Sequence, residues 1–256
     1  MTAAIRPEPT LPWRTQFAMF MRMLAIQGAW NYESLLGNGI GFCVEPALRR
    51  LPGGVHSQEF KSALARESHY FNAHPYMAAI AVGALARAEL DHEPPERIER
   101  FRTALAGPLG SVGDRLVWAG WLPFCSLASL AIFGLGAGTA TVIAFFLITY
   151  NAGHLGLRFW GLRTGWKQGL RVASSLGNPV LRRGPQEIGR LAALATGVGI
   201  PVALGRVIGP GRPLLGVVLV SVVVVAFLLV RLQGRIEGWR LSLIVLAAFA
   251  LFSVLR

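Results

Sequence analysis

The stretch LVWAGWLPFCSLASLAIFGLGAGTATVIAFFLITY, residues 116–150, holds no Asp, Glu, Lys or Arg over about 35 positions. As one straight helix it would be roughly 52 Å long, too long for a hydrocarbon core of ~30 Å. Gly134-Leu135-Gly136-Ala137-Gly138 is the natural break. The reading is two spans, Leu116–Phe133 and Thr139–Tyr150, the second short or re-entrant. Uncharged runs of this kind need every backbone polar group paired internally, which in lipid means helix.

Downstream, Asn151 to Gly184 is basic and holds no acid (Arg158, Arg163, Lys167, Arg171, Arg182, Arg183). Three more apolar runs follow: Leu191–Leu204, interrupted by Pro201, then Leu214–Val230 and Leu241–Leu255. The Val-rich middle run would suggest a strand in water, but its unbroken length favours a helix facing lipid.

Upstream, residues 1–12, with Pro7, Pro9 and Pro12, read as a flexible tail. Residues 13–105 read as an N-terminal helical region and 106–256 as the membrane-spanning region. Trp13–Leu36 is expected to form an amphipathic helix, lying on a membrane surface or packed in a domain. Leu51-Pro52-Gly53-Gly54 marks a turn. Gln58–Phe71 and the Ala-rich Pro75–Leu90 are the next helices, and Pro94-Pro95 open a charged helix over Glu96–Leu105. The fold class is therefore an all-α membrane protein: N-terminal amphipathic helices, then about five transmembrane or re-entrant helical segments with a Gly/Pro-broken loop.

Charge supports this division. Only 15% of the 256 residues are charged, against about 25% in soluble domains. Up to Asp114, 11 basic and 11 acidic residues cancel; beyond it stand 14 basic residues and two acids, Glu187 and Glu237, so the net +12 sits in the apolar half. The basic residues cluster between apolar runs, the mark of a cytoplasmic membrane face, and do not interleave with aromatics as a nucleic-acid surface would. Cys43 and Cys125 form no metal-binding or redox spacing and read as small buried apolar residues. The first apolar stretch is short, mixed and without a small-residue cleavage site, so no cleavable signal peptide is read. No HExxH, Ser/His/Asp order or carboxylate pair on an apolar face points to a hydrolase, and no cofactor or metal is implied.

Three polar islands stand out. Gly107-Pro108-Leu109-Gly110-Ser111-Val112-Gly113-Asp114 lacks the Gly-Lys-Ser/Thr of a phosphate loop and has no strand before it. It reads either as a plain loop or as a broken helix lining a cavity, with Asp114 at the membrane junction as a helix cap or a ligand. Asn72-Ala73-His74-Pro75 precedes the Ala-rich helix, either as its cap or as part of a site. Asn31-Tyr32-Glu33 says nothing alone, since such a glutamate is most often solvated.

Together and in this order, the islands resemble the IID subunit of mannose-type (mannose/fructose/sorbose) phosphotransferase-system sugar permeases. Trp30-Asn31-Tyr32-Glu33 resembles that family's Trp/Phe-Asn-Tyr/Phe-Glu island. Phe71-Asn72-Ala73-His74-Pro75 resembles Phe-Asn-Thr-His-Pro, with Ala73 in place of Thr. Glu89 falls where the family carries an acidic pair, and Gly107–Asp114 resembles its Gly-Pro-to-Gly-Asp segment, continued by Trp118 and Leu122-Pro123. Leu157-Arg158 and Gly165-Trp166 to Gly169 resemble its later segments.

The resemblance implies a multi-pass subunit of the bacterial cytoplasmic membrane. It would pair with a IIC membrane subunit in an oligomer of heterodimers and pass a hexose or related sugar to a IIB phosphocarrier charged by IIA. It implies no cofactor, and phosphoryl-carrying histidines on the soluble partners. The polar residues the islands offer to a sugar are Asn31, Glu33, Asn72, His74 and Asp114, with Gly107, Pro108, Gly110 and Gly113 shaping the loop. A relative that keeps the fold without uptake, and an unrelated membrane scaffold or enzyme, are the alternatives.

The basic segments Asn151–Gly184 and Arg231–Arg240 are expected on the cytoplasmic side, with Met1–Leu105 on the same side and Arg256 facing outward. Cysteine labelling from either side of sealed vesicles checks this, and reaction of both basic segments from outside overturns it.

Overall fold

The structure is a computed structural model that describes residues 10–172 and 179–208, together with Val220, Val224 and Phe227. Its helices are α1 (Trp13–Met23), α2 (Gly37–Leu48), α3 (Gln58–Glu67), α4 (Ala78–Leu90), α5 (Pro95–Gly113), α6 (Leu122–Gly134), α7 (Thr139–Gln168) and α8 (Pro179–Ile208). A short 3-10 turn, Gly54–His56, leads into α3, and a π-helical segment, Asp114–Trp121, joins α5 to α6.

The core is built around α4. Ala78 to Ala86, Ala88 and Glu89 are all buried, so this helix is apolar on every side except at Arg87 and its last turn. Small residues let α7 approach closely. A Cβ on Gly165 would stand 2.1 Å from the Ile80 carbonyl oxygen, and one on Gly83 would stand 2.3 Å from that of Leu162. Gly161-x-x-x-Gly165 thus places a flat strip of α7 on α4, the small-residue packing that membrane helices use.

Ion pairs tie the remaining N-terminal helices to this centre. Arg66 on α3 donates two bonds to the Glu89 carboxylate of α4, at 2.9 and 2.7 Å. Arg102 on α5 is buried against Glu67 on α3, and its other terminal nitrogen donates to the His69 carbonyl at 2.8 Å. Ser57 caps α3 by accepting from the Phe60 N–H at 3.1 Å.

Three stretches are long and apolar enough to cross a membrane among the described residues: Pro95–Gly134, Thr139–Val172 and Arg183–Val207. The break at Gly134–Gly138 is where the sequence places it, with Gly136 at φ +106°. The two last runs, Leu214–Val230 and Leu241–Leu255, lie outside the described residues apart from Val220, Val224 and Phe227, which are helical.

Several expectations need correction. Trp13–Leu36 is not one helix: α1 stops at Met23, a chain of turns follows, and a second helix, α2, starts at Gly37. Thr139–Tyr150 is not a short segment, because α7 runs for 30 residues, Thr139–Gln168, into the basic segment read as a loop. The Gly107–Gly113 loop is helical throughout. Glycine costs about 1 kcal/mol per helical position and Pro108 removes a donor, but packing outweighs propensity here. Leu105, Leu109 and Gly113 are buried on one face of α5, and Pro108 faces outward. Asp114 consequently sits inside a continuous helical path and is no N-cap.

Gly165→Leu should lower stability by at least about 1–3 kcal/mol, the usual scale of overpacking. Gly156→Leu on the same helix meets nothing within 4 Å and should be near neutral. Thermal unfolding of the purified variants checks the contrast.

Candidate functional site

Two of the islands are strapped together by backbone. Leu36 N–H donates to the Phe71 carbonyl at 3.0 Å, and Phe71 N–H donates to that of Ser34 at 3.2 Å. Leu35 takes a positive φ of 49° to make this exchange. Asn31 organises the turn before it: its side-chain oxygen accepts from the N–H groups of Glu33 and Ser34, both at 2.9 Å. Its amide nitrogen donates to the Ser34 hydroxyl at 2.9 Å.

The third island arrives on α5. A Cβ on Gly113 would stand 2.2 Å from the His74 Cβ, so only glycine lets α5 pass this close to the α3–α4 link. Beyond it the helix widens to π geometry, with the Leu122 N–H bonded back to the Val117 carbonyl. Pro123, next in the chain, brings no N–H of its own. Such widened turns are frequent at functional sites because they re-aim side chains.

Together these elements enclose a cavity of 460 Å³ lined by Gln27, Trp30, Leu36, Asn72, Ala73, His74, Pro75, Gly107, Gly110, Ser111, Asp114 and Trp118. Of the residues singled out in the sequence, Asn72, His74, Asp114, Gly107 and Gly110 are brought together there. Gly113 stands behind His74, and Pro108 is on the outer face of α5. Asn31 and Glu33 do not line the cavity: the side chain of Asn31 is occupied in its turn, and Glu33 is exposed. Asn72 and Asp114 are exposed and make no side-chain hydrogen bond or ion pair among the described residues.

His74 is buried, and its Nδ1 accepts from the Tyr76 N–H at 3.2 Å, which places the ring proton on Nε2. Nε2 itself is buried without a partner. Burial, helped by the Arg158 charge, holds this imidazole down to about 4 from its ordinary 6.5. His74 is therefore a neutral donor across ordinary pH. As pH falls through 6.5 towards about 4, the unfolded chain takes up this proton before the folded one, and the stability contributed by the neutral ring is lost.

Behind the cavity wall lies a cluster that sequence reasoning missed. The rings of His74 and Trp118 are each near Tyr76, at 5.0 and 6.0 Å. The Tyr76 and Tyr150 hydroxyls meet at 2.7 Å, His154 stacks on Tyr76 at 5.0 Å, and the Arg158 guanidinium lies 4.7 Å from the Tyr76 ring centre. Tyr150, His154 and Arg158 recur every fourth residue of α7, one polar stripe on an apolar helix, and that spacing was the available signal.

Comparisons with known proteins identify the family. The family of mannose/fructose/sorbose phosphotransferase-system IID components matches residues 10–184. The chain is 28% identical over 204 residues to the mannose-specific EIID component of Escherichia coli K12, covering 74% of this chain and 70% of the relative. It is 29% identical over 216 residues to the fructose permease IID component of Bacillus subtilis, covering 78% and 76%. It is 34% identical over 175 residues to the sorbose-specific EIID component of Klebsiella pneumoniae, covering 65% and 61%. Among solved structures, a chain of the mannose transporter ManYZ in complex with microcin E492 has the same fold, with a TM-score of 0.57 at 22% identity and 96% of each chain covered. A second, described as a membrane protein, has a TM-score of 0.70 at 20% identity, again over 96% of each chain. The chain belongs to the IID components of the mannose/fructose/sorbose phosphotransferase-system family and is a multi-pass membrane subunit of a sugar permease of that kind.

Proposed function

We propose that this chain forms a sugar-translocation path together with a IIC-type membrane subunit, in an oligomer of such pairs. The sugar, a hexose or a close relative, is handed to a IIB carrier charged by IIA. The observation that carries this reading is the polar cavity at the start of the uncharged run. It offers a free carboxylate (Asp114), a free amide (Asn72), a hydroxyl (Ser111) and two indoles (Trp30 and Trp118). Its volume lies within the range of about 300–1,000 Å³ common to small-molecule sites.

Hydroxyl-rich ligands need several acceptors and donors against an apolar face, and this lining supplies both. Asp114 accepts from sugar hydroxyls, Asn72 accepts and donates, and Trp118 presents its ring. His74 holds the wall of the cavity in place. A carboxylate at the junction with the uncharged run, with no side-chain partner among the described residues, is available to a ligand. The runs Leu214–Val230 and Leu241–Leu255 are inferred to add two further crossings, for about five in all.

Asp114→Asn tests the reading. It keeps size and most hydrogen bonding but removes a charged acceptor worth about 1.5–3 kcal/mol. Sugar uptake should fall by about ten- to a hundredfold while the variant still assembles with its partner. Unchanged uptake in cells overturns the site. Asn31→Ala should instead impair folding or assembly, because Asn31 holds a turn.

A second test concerns the phosphoryl group. The His74 ring is buried and its Nδ1 engaged, so it offers no accessible acceptor. Labelled phosphate is expected on the soluble partners and on sugar. A phosphohistidine mapped to His56, His69, His74, His92 or His154 of this chain contradicts the assignment of roles.

A further inference from the structure

The outward face of α1 is apolar and covered by nothing in the described chain. Trp13, Phe17, Met21 and Leu24 are 70, 57, 46 and 44% exposed. At 100° per residue, these four and Phe20 fall within an arc of about 100°, the width of a helix stripe that has a partner. The opposite face holds the fully buried Met19 and Met23. Helix α1 is therefore apolar on two sides, and among the described residues mainly the inner side is used.

Where α1 lies identifies the partner of its outer side. Phe20, at one edge of the arc, packs edge-on against Phe159 of α7, with ring centres 6.4 Å apart. Phe159 is itself 52% exposed and continues an outward row of α7 that includes Ile148 and Leu155. That row belongs to a stretch long and apolar enough to cross a membrane. One turn after Phe159 it becomes basic: Arg163 is exposed and lies 5.2 Å over the Phe159 ring, and Lys167 follows on the surface. Helix α1 thus meets α7 at the level where α7 changes from apolar to cationic, which is the headgroup level of a bilayer.

The rim of α1 carries the same chemistry. Arg14 stands at the far edge of the arc, with its guanidinium 5.6 Å from the Trp13 ring, and Trp13–Met23 contains no acid. Indole paired with arginine, beside aliphatic and phenyl side chains, is the composition of helices that lie in the interface with their charges towards anionic phosphates.

We infer that α1 is an in-plane helix of the cytoplasmic leaflet, its Trp13/Phe17/Met21/Leu24 face sunk among acyl chains and Arg14 and Arg163 set against anionic lipid headgroups. The face is a bilayer contact continuous with the outer row of α7.

Nitroxide labelling of the full chain, reconstituted in vesicles of phosphatidylethanolamine and phosphatidylglycerol, tests this. Cys43 and Cys125 are buried, which leaves an introduced cysteine as the reactive one. Phe17 and Arg14 both point away from the protein, so Phe17→Cys and Arg14→Cys leave the core untouched. The expected result is a label at position 17 that collides several-fold more with oxygen than with a water-soluble nickel chelate. The label at position 14 should show the reverse. A nickel-accessible label at 17 means that α1 faces water and overturns the proposal. A label at 17 that is immobilised and shielded from both reagents means that protein covers the face, and overturns it equally.

Discussion

The Arg158 guanidinium is the hinge between the two halves of this protein. It is buried on membrane helix α7, and no carboxylate reaches it among the described residues. Burying a cation costs several kcal/mol unless something opposes the charge. Two neutral groups do so here. One terminal nitrogen donates to the carbonyl of Met23, the last residue of α1, where the helix carries its partial negative end. The plane of Tyr76 supplies the other contact. A single side chain thereby fixes the end of α1, the start of the α4 segment and the membrane helix to one another. Tyr76 then passes that order to His74, Trp118 and Tyr150.

The cavity depends on this arrangement from the other side. Its floor is the strap between Ser34–Leu36 and Phe71, and its wall is α5 passing within glycine distance of His74. Neither part is a ligand group, yet each decides where Asn72 and Asp114 stand. The π-helical segment adds the last adjustment, since Asp114 and Trp118 both belong to it and both line the cavity. The free polar groups are therefore held by a frame of backbone bonds and close helix contacts.

Much of this was legible in the amino-acid order. The uncharged run at 116–150, its break at Gly134–Gly138 and the islands in their sequence led to the fold class and to Asn72, His74 and Asp114. What escaped was tertiary in origin. Gly107–Gly113 has the composition of a loop, and only the buried face formed by Leu105, Leu109 and Gly113 makes it helix. Asn31 has the residue type of a sugar ligand, and only the folded chain shows its side chain bonded within the turn to Ser34. Helix α2 is rich in glycine, a poor helix former, and Gly37, Gly39 and Gly41 are all buried where neighbouring chain passes close by. The grouping of Tyr150 and His154 with Arg158 was hidden because the span was expected to end at Tyr150, whereas α7 runs on to Gln168.

Arg206, which is exposed, makes contacts of the same kind as Arg158. It donates to the carbonyls of Phe133 and Ala137 at the end of α6 and lies 4.3 Å from the Phe133 ring centre. The N-terminal helices carry carboxylate–guanidinium pairs instead, buried at Arg66–Glu89 and Arg102–Glu67 and exposed at Arg97–Glu93. Exposed pairs of opposite charge weaken as mobile ions accumulate between them, whereas a guanidinium set against carbonyl dipoles and a ring has no counter-charge for those ions to screen. The exposed pairs accordingly weaken as ionic strength rises, while the anchorage of α1 through Arg158 does not depend on it.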